Sequence, residues 1–567
     1  MTAFRSSTRL RNKGIVVQNE GRLSRRQVLA AAGFIGLATV TGCGGGDDGG
    51  DGKDLSKKQD GAMKNYRAGQ QFKASRPLSF AVLHNNNPVY PMKSDWLFWK
   101  ELTKRTGVTL EPVDVPLADY EKKRSVLIGA GDAPSLIPKT YHPSEVAFVS
   151  SGAILPVSDY VKLMPNFREK VRKWKLEPEL DSIRQSDGRY YLLPGLHEKT
   201  KANYSLSFRT DVLDRHGLSL PTTWDEVYDV LKALKEEHPG TYPLTDRWST
   251  NTPFPCGALF SYLGQAYGVK AGWTYDNISF DHKAQKYVFT GAQDAYRQMV
   301  EYLRGLVAEK LMDPESFSQT DDQALQKLLA EKSYAMSANP QVLVQDYRYN
   351  LEKQVKGARI DMVPVPLGPA GPVVLGGGRL ENGVMISSKA LKSDDFVAMM
   401  QFVDWLWYSD EGQRLARWGI EGVTHTRSAG RYRPKPGISL MGSDPDAPKD
   451  MQKDFGFYNG VFAYGGSWEL VSSMFGPDEK KFQEAMAQRR QLPVDPAHPL
   501  QSFEQEQATL WETPLKDHVI QNTLQFVLGK RPLSQWNSYL AELKSKNMQQ
   551  LVDLHNKAYE RFRKENG

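Results

Sequence analysis

Beyond residue 75 the chain alternates short apolar runs with amphipathic stretches. Pro77–Leu83 (PLSFAVL) reads as a strand, followed by the polar segment His84-Asn85-Asn86-Asn87-Pro88 as a loop. A helix is predicted from about Ser94, carrying Trp96, Trp99 and Leu102 and stopping at Gly107, with Val108–Val113 as the next strand. Thr223-Trp224-Asp225-Glu226 predicts a capping box: the threonine oxygen accepts a helix-start N–H while Glu226 reaches back. Apolar stripes at helical spacing follow at Trp224, Val227, Tyr228 and Leu231, at Tyr296, Met299, Val300, Leu303 and Val307, and at Phe396, Met399, Phe402, Val403 and Leu406. The last 35 residues predict one more amphipathic helix, with Leu551, Leu554, Ala558 and Phe562 on one side. Strands alternating with helices predict α/β layers, and 567 residues suffice for two lobes with full cores.

The N-terminal pattern is different. Val28–Val40 is apolar for about 13 residues, short of the roughly 20 needed to span a bilayer as a helix. It fits the apolar part of a signal peptide behind a charged segment. Ser24-Arg25-Arg26 resembles a twin-arginine export signal, and Val40-Thr41-Gly42-Cys43 resembles a lipobox in which Cys43 would carry the lipid. The Gly/Asp run 44–52 has nothing to bury and reads as a tether; it lacks the bidentate glutamate and flanking helices of a calcium loop. The expected division is thus a signal peptide at 1–42 and a flexible tether at 43–75. The expected location is the outer face of the cell membrane, with the protein held by its lipid.

Charge follows this division. Of 73 Lys and Arg and 66 Asp and Glu, seven bases and one acid fall in residues 1–42, leaving 66 and 65. The net charge of +7 therefore belongs mostly to the leader, and no basic stripe with interleaved aromatics remains to suggest nucleic acid. With Cys43 modified, Cys256 has no partner, and it reads as a small buried hydrophobe.

Several stretches carry a family resemblance. Residues 127–137 (LIGAGDAPSLI), 187–194 (DGRYYLLP), 208–218 (FRTDVLDRHGL) with 221–226 (PTTWDE), 408–412 (YSDEG) and 418–423 (WGIEGV) resemble motifs of the extracellular solute-binding proteins of carbohydrate ABC importers, in their large lipoprotein branch. The stretch from Trp536 to Arg561 is similar to that family's closing helix. The resemblance spans most of residues 76–563. It implies a two-lobed periplasmic-binding-protein-like α/β fold of type II, with crossing hinge strands and a C-terminal helical extension. The strands Asn203–Phe208 and Val373–Leu375, the latter running into Gly376–Gly378, are the candidate crossings. Lobe 1 is expected to hold 76–205 and 380–430, and lobe 2 to hold 206–379 and 431–567. The resemblance also implies a ligand held between the lobes and a closed form recognised by an ABC permease. Many members carry a calcium loop after the Pro-Thr-Thr helix; here 236–241 reads EEHPGT, without spaced carboxylates, so no metal is expected and no cofactor either.

Sugars present apolar C–H faces and rims of hydroxyls, so a site for them needs flat aromatic platforms and short polar groups. The candidates are Asn85, Asn86, Tyr90, Thr140 and Tyr141 on one side, and Trp248, Phe254, Trp273, Asn339 and Arg379 on the other. Trp468 is a further platform. For each aromatic the competing reading is plain packing, for the asparagines a turn, and for Arg379 an ion pair. The reading is a monomeric binding protein for a sugar, most naturally an oligosaccharide. A secreted polysaccharide hydrolase or lyase is the alternative, although no His-Glu-x-x-His, Gly-x-Ser-x-Gly or phosphate-loop pattern is present. A surface sugar sensor would use the same lobes and stays open beside import.

Overall fold

The computed structural model describes residues 54–566 except 251, 376–377, 441–443 and 445. The export signal at Arg25 and Arg26 and the lipid-bearing Cys43 lie outside the described residues. Two sheets organise the molecule, from strands β1 (Leu78–Asn86), β2 (Val108–Pro116), β3 (Leu136–Thr140), β4 (Leu193–Leu196), β5 (Ser205–Arg209), β6 (Ala335–Ala338), β7 (Ile360–Met362) and β8 (Leu380–Ile386). The first sheet runs β2-β1-β3-β8-β4, and the second runs β6-β5-β7.

In the first sheet, β1 lies parallel to β2 in unbroken register from Leu78↔Val108 to Asn86↔Pro116. This pairing corrects one expectation: Asn85 and Asn86 belong to the strand, not to the loop after it, because β2 continues opposite them. Strand β8 returns antiparallel between β3 and β4. At Gly383 the backbone of β4 comes so close that a β-carbon would meet the Leu193 carbonyl oxygen at 2.1 Å, so only glycine fits. In the second sheet β5 is central and antiparallel to both neighbours.

Each sheet has its own core. The first gathers Phe80, Val82, Leu136, Val384 and Ile386 with the helix Phe396–Tyr408, every residue of which is buried. The second gathers Leu206, Phe208, the helices Trp224–Glu237 and Asp294–Ala308, and the C-terminal helices through Leu515, Val519, Phe526, Trp536 and Leu551. The capping box of Thr223 and Glu226 forms as its sequence pattern requires. The predicted single closing helix is two, Trp536–Ser545 and Met548–Asn566, broken at Asn547, which sits in the left-handed region at φ 67°. Among the described residues no helix is long and apolar enough to cross a membrane.

Two expected boundaries fall elsewhere. Residues 55–75, expected as part of the tether, pack on the first core: Phe72 is fully buried, and Met63 exchanges hydrogen bonds with the Gln401 side chain at 2.8 and 3.1 Å. The stretch after 430, expected with the second lobe, also feeds the first core, through Tyr432, Met451, Phe457, Phe462, Tyr464 and Leu470. Only from Phe482 onward does the chain return to the second core. The reason is apolar complementarity: Phe98 and Trp407 stack with Phe462, and Trp418 with Tyr432.

Candidate functional site

The second-lobe wall is built around Trp248. The chain after Leu244 brings Thr245, Asp246 and Arg247 into the interior and then turns through Trp248, whose φ of 60° is unusual for a bulky residue. Specific contacts hold this conformation. The Trp248 N–H donates to Asp321 at 2.8 Å, and Arg247 bridges Asp321 (3.0 Å) and Asp346 (2.7 Å). The Arg247 guanidinium also lies over the rings of Trp248 (5.2 Å) and Tyr347 (5.5 Å). Asp246, fully buried beneath, accepts from the Ser337 N–H at 3.1 Å; burial pushes its carboxyl up to about 7.

Trp273 completes the wall. Its centroid is 5.4 Å from that of Trp248, and Tyr204 stands edge-on to both at 5.4 and 5.1 Å. Trp273 is 41% exposed, its Nε1–H donating to Thr252 at 3.2 Å, and its ring rests on Gly257, where a β-carbon would come within 2.2 Å. A cavity of about 550 Å³ opens here, lined by Trp248, Trp273, three threonines (Thr250, Thr252, Thr320) and Asp321 and Asp322. That volume lies in the range of small-ligand sites. Asn339 caps a helix start by accepting from the Val342 N–H at 2.8 Å.

The first-lobe wall comes from the ends of β1 and β3. The Tyr90 hydroxyl and the Lys139 ammonium both sit over Gly460, where a β-carbon would lie 3.5 and 3.2 Å from them. Tyr141 is 51% exposed, with Lys139 Nζ 3.5 Å from its hydroxyl. The Tyr141 hydroxyl lies within electrostatic range of Tyr204 on the other wall and of Tyr464.

Glu381, at the start of β8, has its carboxylate partly open to solvent. Burial pushes this carboxyl up, but His197 (2.8 Å), the Gly465 N–H (2.9 Å) and Arg417 outweigh it and hold it at about 2. Trp468, half-buried, lies apart from the Trp248 wall. It lines a smaller cavity of about 230 Å³ with Glu198, Lys199 and Arg379, and Lys199 Nζ is 5.4 Å from its ring centre.

Several candidates have other work. Phe254 is buried in the second core against Phe260 at 4.8 Å, where no ligand can reach it. Thr140 is fully buried, 3.4 Å from the Arg124 guanidinium. Asn86 is tied between Asp114 (2.6 Å) and the Met92 N–H (3.0 Å), and Asn85 is buried at the same strand end. Arg379 is neutralised by Glu179 (2.6 Å) and bound to the Trp174 and Lys175 carbonyls, so its charge serves the fold and not a ligand. The residues that pattern reading missed are Tyr204, Asp321, Asp322, Lys139 and Glu381. Of these only the two aspartates carried a signal, the Thr-Asp-Asp-Gln opening of a capped helix.

The pattern of bacterial extracellular solute-binding proteins matches residues 92–414, more than half of the chain. The chain belongs to that family. This solute-binding protein is 21% identical over 571 residues to the fructooligosaccharide ABC transporter substrate-binding protein FusA of Streptococcus pneumoniae, covering 93% of this chain and 96% of the other. It is 22% identical over 474 residues to the polygalacturonan/rhamnogalacturonan-binding protein YtcQ of Bacillus subtilis, covering 81% and 87%. Among solved structures it superimposes with a TM-score of 0.65 on an HMO-binding, ABC-transporter-associated solute-binding protein from Bifidobacterium longum infantis, at 19% identity and over 86% and 99% of the chains. The two-lobed α/β architecture is common to both structures. The named relatives are substrate-binding proteins, and this chain is a solute-binding protein by its family.

Proposed function

We propose that this protein captures an oligosaccharide between its two lobes and hands it to an ABC permease, anchored outside the cell by a lipid on Cys43 after export under the Arg25-Arg26 signal. The observation that carries the reading is the cluster of Tyr204, Trp248 and Trp273 beside an open cavity. Flat rings held from behind suit the apolar faces of sugar rings, and the threonine and aspartate rim suits their hydroxyls. Sugar-binding names among the relatives support the same class of ligand. On this reading 55–205 and 380–475 make one lobe, and 206–379 with the segment from 482 makes the other. The ligand favours closure because it touches both walls only when they approach. The protein acts as a monomer.

The test is a melting screen of the protein against neutral and acidic oligosaccharides, with the sugars checked afterwards by mass. A ligand at about 100-fold over its Kd should raise Tm by roughly 3 °C or more and be recovered intact. A cleaved sugar would overturn the reading. Replacing Cys43→Ser should move the protein from the membrane to the soluble fraction; continued membrane attachment would remove the lipid anchor from the proposal.

A further inference from the structure

The charges around the Trp248 cavity are lopsided. Among the described residues its lining offers two tryptophans, three threonines, Asp321 and Asp322, and no lysine, arginine or histidine. Arg247, the cation directly behind the wall, is 7% exposed, sandwiched by Trp248 and Tyr347, and already bridges two carboxylates. Its one unpaired donor, Nε, is buried away from solvent. Lys139 belongs to the opposite wall and does not line this cavity.

The helix Asp321–Leu329 begins at the rim, and a bare helix start would attract an anion. Here it is occupied. Thr320 and Gln323 close a capping box, Asp321 accepts from the Trp248 N–H and from Arg247, and Asp322 adds a second acid in the first turn. Asp322 is exposed on the cavity rim. A carboxylate only accepts hydrogen bonds, which suits sugar O–H groups and opposes another carboxylate. The Trp273 Nε1–H, a donor that could answer an anion, is already bonded to Thr252.

Resting on the sugar-binding reading above, we propose that this cavity selects an uncharged sugar ring and rejects a uronate. A sugar carboxylate there would face Asp322 and Asp321 with no cation to balance it, and should bind about tenfold or more weaker than its neutral counterpart.

The experiment is calorimetric titration of the full chain with a panel of matched pairs: neutral oligosaccharides, oligogalacturonides of equal length, and the methyl esters of those oligogalacturonides. The wild type is compared with Asp322→Asn, an exposed position whose replacement leaves the core intact. The expected result is that the tightest ligand is neutral, that each free acid binds at least about tenfold weaker than its ester or neutral partner, and that Asp322→Asn narrows that ratio by about threefold or more. A tightest ligand that is acidic overturns the proposal, and so does a ratio untouched by Asp322→Asn. If no sugar of either charge binds, the sugar-binding reading itself fails and takes the charge rule with it, an outcome distinct from a preference for acids.

Discussion

The two walls treat their short polar side chains and their large rings differently. At the ends of β1 and β3, Asn86 and Thr140 are drawn into bonds with Asp114, the Met92 backbone and Arg124. On the second wall, polar groups lie behind the rings, and Trp248 and Trp273 are left facing outward. The difference teaches that a short polar side chain at a strand end finds a partner in the fold before it meets a ligand. A large ring that is anchored by its backbone keeps its face free.

The comparison breaks most severely at Arg247. Arg247→Met leaves Asp321 and Asp346 without their shared cation and releases Trp248, and should cost about 3–5 kcal/mol of stability in urea unfolding together with most sugar affinity. Unchanged stability would show that the clamp does not hold the wall. Next is Asp246. Its folded pKa of about 7 lies above the ordinary carboxyl value, so its stabilising contribution is complete below about pH 4 and lost as pH rises through 7. The loss is on the order of 4 kcal/mol, and Asp246→Asn should remove that slope from melts run between pH 4 and 8. A slope identical in both proteins would place the titration elsewhere.

Smaller effects separate the walls directly. Trp248→Ala should weaken sugar binding about 30-fold, near 2 kcal/mol, while the rest of the fold melts cooperatively. Retained affinity would move the site away from this wall. Asn86→Ala should do the reverse, lowering stability by about 1 kcal/mol through its lost hydrogen bonds and leaving affinity within about twofold. A large affinity loss in Asn86→Ala would put the first wall's amides back in the site.

Local pattern was enough for what depends on local pattern. The box at Thr223 and Glu226, the buried helix Phe396–Tyr408 and the stop at Gly107, which adopts φ 73°, all follow from residues within a few positions of one another. The fold class came through motifs scattered along the chain. What stayed hidden depends on distant partners. Arg379 meets Glu179 from 200 positions away, and no spacing rule reports that. Phe254 and Trp273 are both aromatics in the same stretch of chain, yet one fills the core against Phe260 and the other rests on Gly257 at the surface. Tyr432 and Phe462 join the first core because their rings fit those of Trp418, Phe98 and Trp407, a match of shapes that composition does not show.

The place of β8 has a consequence for how the molecule is made. It lies between β3 and β4, yet it leaves the ribosome nearly 200 residues after β4. During synthesis the first sheet therefore waits as two separated pieces, with the edges of β3 and β4 unpaired, while the whole second sheet emerges. The first sheet is closed only by a strand made after the whole second sheet, and any shortened chain ending before residue 380 carries an open seam between β3 and β4.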